Sequence, residues 1–148
     1  MCDSRDAFVA QPAIAVAGVS RTGKKFGNIA CRELRAKGYR VYPIHPAGAL
    51  IDGRRSYAAF RDLPEKVDAV LVVVPPLQAI EVVRDAAAAG IHHVWLQQGA
   101  ESPDVLAACR EHKLNVVAGE CILMFARPTG VHKLHYWVDR IVRRRPAA

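Results

Sequence analysis

Ala13-Ile14-Ala15-Val16-Ala17-Gly18-Val19-Ser20-Arg21-Thr22-Gly23-Lys24-Lys25-Phe26-Gly27-Asn28 is the stretch that decides the fold. An apolar run stops at a glycine, a short basic loop follows, and a helix opens with Phe26, Ala30 and Leu34 along one side. A strand, a glycine turn and a helix start together make a phosphate-binding arrangement. The turn lets backbone approach a ligand, and the first helical N–H groups are unpaired at the positive end of the macrodipole. Arg21, Lys24 and Lys25 add positive charge at the same place. The segment predicts a site for a phosphate-bearing ligand.

Strands and helices alternate on both sides of this unit. Residues 13–18 read as a strand and 26–37 as a helix closed by Gly38. Tyr39–Ile44 is a second strand ending at His45-Pro46, and Asp52-Gly53 marks a turn in a loop with a short strand over 47–56. A polar connector from Phe60 to Val67 leads into Asp68-Ala69-Val70-Leu71-Val72-Val73-Val74. That run is continuous rather than alternating, so it belongs inside a parallel sheet covered on both faces. The helix over 77–89 is expected to bury Leu77, Ile80, Val83 and Ala87. His92–Leu96 is the next strand; Ser102 and Pro103 then start a helix as cap and first residue. Asn115–Ala118 is a further strand, and a basic helix over 131–144 turns Leu134, Val138, Ile141 and Val142 to the core. The pattern predicts an α/β fold: a Rossmann-like, doubly wound, mostly parallel sheet in a single three-layer domain over 1–148, with its core at about 10–140.

The composition bounds the function. The chain has 148 residues, 51% of them apolar, and a net charge of +7. No apolar run approaches the roughly 20 residues that span a bilayer, and Met1–Ala10 lacks the charged and apolar regions of a secretory signal, so no membrane partner is expected and the cytoplasm is the expected compartment. Cys2, Cys31, Cys109 and Cys121 are scattered without a C-x-x-C pair, which excludes zinc-ribbon spacing and argues against a disulfide framework. Much of the positive charge lies in the last helix, at Lys133, Arg140, Arg143, Arg144 and Arg145. No aromatics interleave the Arg140–Arg145 tail, so it reads as a solvated helix end rather than a nucleic-acid surface.

In a doubly wound sheet, ligands bind beyond the carboxyl ends of the strands where strand order reverses. Those ends are Gly18–Arg21, His45-Pro46, Val74-Pro75-Pro76, Gln97-Gln98-Gly99 and Gly119-Glu120-Cys121, all expected along one edge. A dinucleotide site wants G-x-G-x-x-G and a carboxylate at the end of the second strand. Here Ser20 stands at the second glycine position, and the second strand ends in Ile44-His45-Pro46. A P-loop fails too, since Lys24 precedes Lys25 rather than Ser or Thr.

Gly18-Val19-Ser20-Arg21, Lys25-Phe26-Gly27-Asn28, Tyr42-Pro43-Ile44-His45-Pro46, Val73-Val74-Pro75-Pro76 and Trp95-Leu96-Gln97-Gln98-Gly99 resemble the small CoA-binding domain proteins. These are stand-alone relatives of the N-terminal domain of the succinyl-CoA synthetase α subunit. The resemblance covers roughly residues 10–140 and implies coenzyme A, or an acyl-CoA, lying across the strand ends. It implies that Gly18, Val19, Ser20 and Arg21 meet the phosphates, Ser20 through its hydroxyl. Lys24 adds charge beside them, and Lys25 and Phe26 flank the phosphate and nucleotide portion. His45 and Pro46 sit beside the adenine, Val74, Pro75 and Pro76 line the adenine or upper pantetheine channel, and Gln97 and Gly99 face the pantetheine. Many relatives carry Asn where this chain has His45. The chemistry agrees: CoA carries a diphosphate and a 3′-phosphate for the basic residues, and an acid at strand two would repel a phosphorylated ribose.

No Ser-His-Asp order, metal triad or close carboxylate pair stands out, so a binding or regulatory module without catalysis of its own is expected. The alternative is an NAD(P)-binding oxidoreductase or redox-sensor domain. His132 and His135 lie one turn apart without a third metal ligand. Cys121 falls on the ligand edge; it is either a thiol beside the CoA thiol or a structural cysteine. The last helix is a candidate surface for a homo-oligomer or another protein partner.

Overall fold

Every residue from Ala13 to Ala17 is buried, as an unbroken apolar run demands of a strand covered on both faces. The computed structural model describes residues 3–126. Its strands are β1 (Ala13–Ala17), β2 (Arg40–Ile44), a hairpin of β3 (Leu50–Ile51) and β4 (Arg54–Arg55), β5 (Ala69–Val72), β6 (His93–Leu96) and β7 (Asn115–Ala118). Its helices are α1 (Ser4–Val9), α2 (Phe26–Ala36), α3 (Pro76–Ala88) and α4 (Pro103–Glu111). Five strands form a sheet of order β2-β1-β5-β6-β7, paired in parallel throughout. The fold is the expected Rossmann-like α/β domain. Because β1 has β2 on one side and β5 on the other, strand order reverses between β1 and β5.

The period of two along each strand divides the core into layers. Ile14, Val16, Leu71, Trp95 and Val117 face one side, where they meet Phe8 of α1, Ala30, Cys31 and Leu34 of α2, and Ile122. Ala13, Ala15, Val70, Val72, Val94 and Leu96 face the other, against Ala79, Val83 and Ala86 of α3 and Val105, Ala108 and Cys109 of α4. The edge strand β2 tolerates Pro43. The N–H two residues on, at His45, points away from β1 to the Tyr57 carbonyl at 2.9 Å, so the N–H that Pro43 lacks is one the sheet does not use.

One expectation changes and one element is new. Helix α3 buries Ala79, Val83 and Ala86, whereas Leu77 is 85% exposed and Ala87 is only partly covered. An alanine-rich helix is apolar on more than one side, and the small side chains are the ones that let it approach the sheet. Helix α1, which no periodicity announced, is capped by Asp3 and sets Phe8 edge-on against Trp95, ring centroids 5.4 Å apart. The basic helix expected over 131–144 lies outside the described residues, with His132, His135, Cys2 and the Arg140–Arg145 run.

The link from β2 to β5 positions the site. It holds the β3–β4 hairpin and a 3₁₀ turn at Phe60–Asp62 instead of an α-helix. Asp52 and Gly53 both take positive φ (51° and 73°), as the tight two-residue hairpin turn requires. The sheet over β1 and β2 is therefore bordered by α3 on one side and by this thin connector on the other, with a groove between them.

Candidate functional site

Strand β1 stops at Gly18, whose φ of 119° takes the chain out of the sheet. A Cβ there would lie 2.2 Å from the Val73 carbonyl oxygen, so only glycine fits. The Val73 N–H donates to the Ala17 carbonyl at 2.8 Å, which brings the carboxyl ends of β1 and β5 together at the reversal point. Helix α2 then crosses directly over the loop: a Cβ on Gly27 would stand 2.4 Å from the Gly18 carbonyl oxygen. Gly27 is thus the close-packing glycine of this turn.

Asn28 holds the loop that leaves Gly18. It is fully buried; its Oδ1 accepts from the Ser20 N–H at 2.9 Å and its Nδ2 donates to the Ser20 carbonyl at 2.8 Å. The Ser20 backbone is committed to this clamp, and the Ser20 hydroxyl pairs with the Thr22 hydroxyl at 2.7 Å. The loop offers its remaining N–H groups and the first turn of α2, which begins at Lys25 without a side-chain cap. Arg21, Lys24 and Lys25 are exposed, and none of the three joins an ion pair among the described residues.

A groove of about 740 Å³ opens at the reversal point, within the usual range for small-ligand sites. Ala17, Gly18, Val19 and Lys25 line one end, Ile44, His45 and Pro46 one wall, and Val74 the other. Of the residues singled out in the sequence, Gly18, Val19, Lys25, His45, Pro46 and Val74 meet here. His45 Nδ1 accepts from the Ala47 N–H at 3.1 Å, so the neutral imidazole carries its proton on Nε2.

The other expected residues lie outside that lining. Ser20, Arg21 and Lys24 belong to the loop beyond it, and Phe26 packs against the core on the α2 side. Pro75 caps α3 and Pro76 is its first residue. Gln97 is 6% exposed, and its Oε1 accepts from the Ile122 N–H at 3.1 Å. Gln98 reaches the Gly119 carbonyl and Gly99 donates to Glu101. The ends of β6 and β7 are tied to each other rather than to the groove, and half-buried Cys121 sits in that tie. The five strand ends share one edge of the parallel sheet, as expected, but only those of β1, β2 and β5 line the groove. Desolvation pushes the thiols of buried Cys31 and Cys109 up to about 11. Among the described residues no cluster of three metal-ligating side chains occurs.

Sequence reading missed half of the groove. Ala58, Ala59, Phe60 and Arg61 of the connector line it together with Gln78, Glu81, Val82, Asp85 and Ala88 of α3 and Ala89, which caps that helix. The α3 set recurs at three- and four-residue steps, a stripe beside the buried one, and that spacing was the available signal.

Residues 12–127 match the family model of the CoA binding domain. The chain belongs to the CoA-binding domain family. This CoA-binding domain resembles a conserved hypothetical protein of Pyrococcus furiosus, with a TM-score of 0.69 at 35% identity over 74% of this chain and 95% of that one. The dinucleotide-forming acetyl-coenzyme A synthetase 1 of Ca. Korarchaeum cryptofilum, in its apo form, superposes with a TM-score of 0.62 at 26% identity, covering 72% of this chain and 25% of that one. The ADP-forming acetate–CoA ligase II of Archaeoglobus fulgidus is 33% identical over 91 residues, 60% of this chain. The chain spans 13% of that ligase's length. No helix among the described residues is long and apolar enough to cross a membrane.

Proposed function

We propose that the groove between α3 and the β2–β5 connector binds coenzyme A or an acyl-CoA, and that the domain performs no chemistry of its own. The observation that carries this reading is the coincidence of the groove with the reversal point between β1 and β5, with Lys25 and the uncapped start of α2 at one end. Membership of the CoA-binding domain family supports it, as does the absence of a carboxylate at the end of β2.

On this reading Gly18 and Val19 give the diphosphate a close backbone approach, and Lys25, Arg21 and Lys24 neutralise it and the 3′-phosphate. His45, Pro46 and Val74 flank the base. The pantetheine arm leaves past Pro75 and Pro76 toward Gln97 and Gly99. The domain then serves as a regulatory module or partner subunit in the cytoplasm.

Isothermal titration with CoA, acetyl-CoA and NADP⁺ tests the proposal. CoA and acetyl-CoA should bind, with affinity falling as salt rises, and Lys25→Ala should weaken both by about tenfold, the worth of one charge-assisted contact. NADP⁺ binding as tight as CoA binding, or no heat with either CoA or acetyl-CoA, overturns it.

A further inference from the structure

The Ser20–Lys25 loop is held at a second point, remote from the Asn28 clamp. Arg32, on the outward side of α2, brings Nη1 and Nη2 to 3.3 and 3.4 Å from the Gly23 carbonyl oxygen. The same Nη1 lies 2.9 Å from Oδ2 of Asp52, at the tip of the β3–β4 hairpin. The other carboxylate oxygen of Asp52 stands 2.8 Å from where a Gly23 Cβ would be. Gly23, at φ 74°, is the residue that lets this hairpin tip close onto the loop.

The carboxylate is well placed among the surrounding cations in the free protein but stands against anion binding at the same loop. Arg21, Lys24 and Lys25 make the loop positive, and an aspartate beside it opposes an incoming phosphate. Arg32 neutralises that aspartate and, through it, ties the loop and the adjoining α2 to the hairpin tip, 20 residues further along the chain. We propose that Asp52 and Arg32 are positioning residues for the anion site, a latch that fixes the Gly23 carbonyl so that the loop presents its free N–H groups in one arrangement. The ligand half of this inference rests on the CoA reading above; the latch itself does not.

Asp52→Asn separates a latch from a stray charge. Asparagine accepts positive φ readily and Asn-Gly is a favoured hairpin pair, so the turn survives while the carboxylate charge is lost. A bystander aspartate would make Asp52→Asn bind CoA more tightly, because a repulsive charge has gone and Arg32 is released. A latch predicts the reverse: CoA affinity falls about three- to fivefold, the scale of an exposed ion pair. Arg32→Ala should lose at least as much, and the double variant no more than Arg32→Ala alone, since both act through one contact.

The ligand-free protein supplies the second measurement. Backbone ¹⁵N relaxation should show the Gly23 and Lys24 amides losing order in Asp52→Asn and Arg32→Ala, with the melting temperature unmoved. Tighter CoA binding by Asp52→Asn, additive losses in the double variant, or unchanged order at Gly23 would each overturn the latch. Wild-type protein that ignores CoA yet shows the loss of loop order on substitution would sink the CoA reading and leave the latch standing.

Discussion

Asn28→Ala tests the central contact of the site most directly. The side chain is fully buried and satisfies two backbone groups of Ser20 at 2.9 and 2.8 Å. Truncation leaves the Ser20 N–H without a partner, at about 1–3 kcal/mol for a group that water does not reach, while the Ser20 C=O keeps only the Gly23 N–H at 3.3 Å. Ser20 is half-buried, so solvent relieves part of this, and a loss of about 1–2 kcal/mol is expected. For a domain of this size that corresponds to a melting temperature lower by ~2–8 °C. Asn28→Asp adds a pH signature. Its carboxylate still accepts from the Ser20 N–H but sets a second oxygen against the Ser20 carbonyl, and burial raises its pKa above the ordinary ~3.9. The folded state then binds the proton more tightly than the unfolded one. The deficit against wild type is therefore absent below about pH 4, where the protonated acid donates as the amide did, and grows as pH rises through the folded pKa. Urea unfolding of wild type, Asn28→Ala and Asn28→Asp across that range measures both effects. An Asn28→Ala protein within ~0.5 kcal/mol of wild type, or an Asn28→Asp deficit that does not change with pH, would refute the clamp.

The Arg40 guanidinium and the Tyr42 hydroxyl hold the Glu65 carboxyl down to about 2, so its contribution to stability is present above the ordinary value of 4.5 and is lost as pH falls toward 2. The melting-temperature gap between wild type and Glu65→Gln should be constant near neutrality and close over that acid window. Cys31 and Cys109, buried and pushed up to about 11, should resist iodoacetamide in the native protein at mildly alkaline pH while half-buried Cys121 is labelled; peptide mass spectrometry reads each site separately. On α3, Leu77→Lys should leave stability within ~0.5 kcal/mol of wild type, whereas Val83→Ala should cost about 2 kcal/mol by chemical denaturation, from two lost methyl groups and the space they leave.

The sheet was legible in the chain because each strand carries its own signal. Ala13–Ala17 and Ala69–Val72 are apolar at every position, and only burial on both faces accommodates that. Ser102 and Pro103 mark the start of α4, and Asp52-Gly53 the hairpin turn, through local backbone chemistry that needs no tertiary partner. The alternation of strands and helices placed Gly18, His45 and Val74 at strand ends and Lys25 in the first turn, while the sheet order decided between which strands the reversal falls.

What only the tertiary structure decided is which sides meet. Helix α3 carries apolar residues in more than one direction, and its approach to the sheet selected Ala79, Val83 and Ala86 over Leu77. Gln97 stands at a strand end like the groove residues, but its partner is an N–H that arrives from Ile122. Asn28, Arg32 and Asp52 are ordinary polar residues in sequence; they act on the loop because Gly27 brings α2 into backbone contact and Gly23 admits the hairpin tip. The apolar runs and turn residues that announce strands and turns lie side by side along the chain, so they can be read from sequence alone. A clamp, a latch and the two walls of a groove depend on groups that only folding brings together.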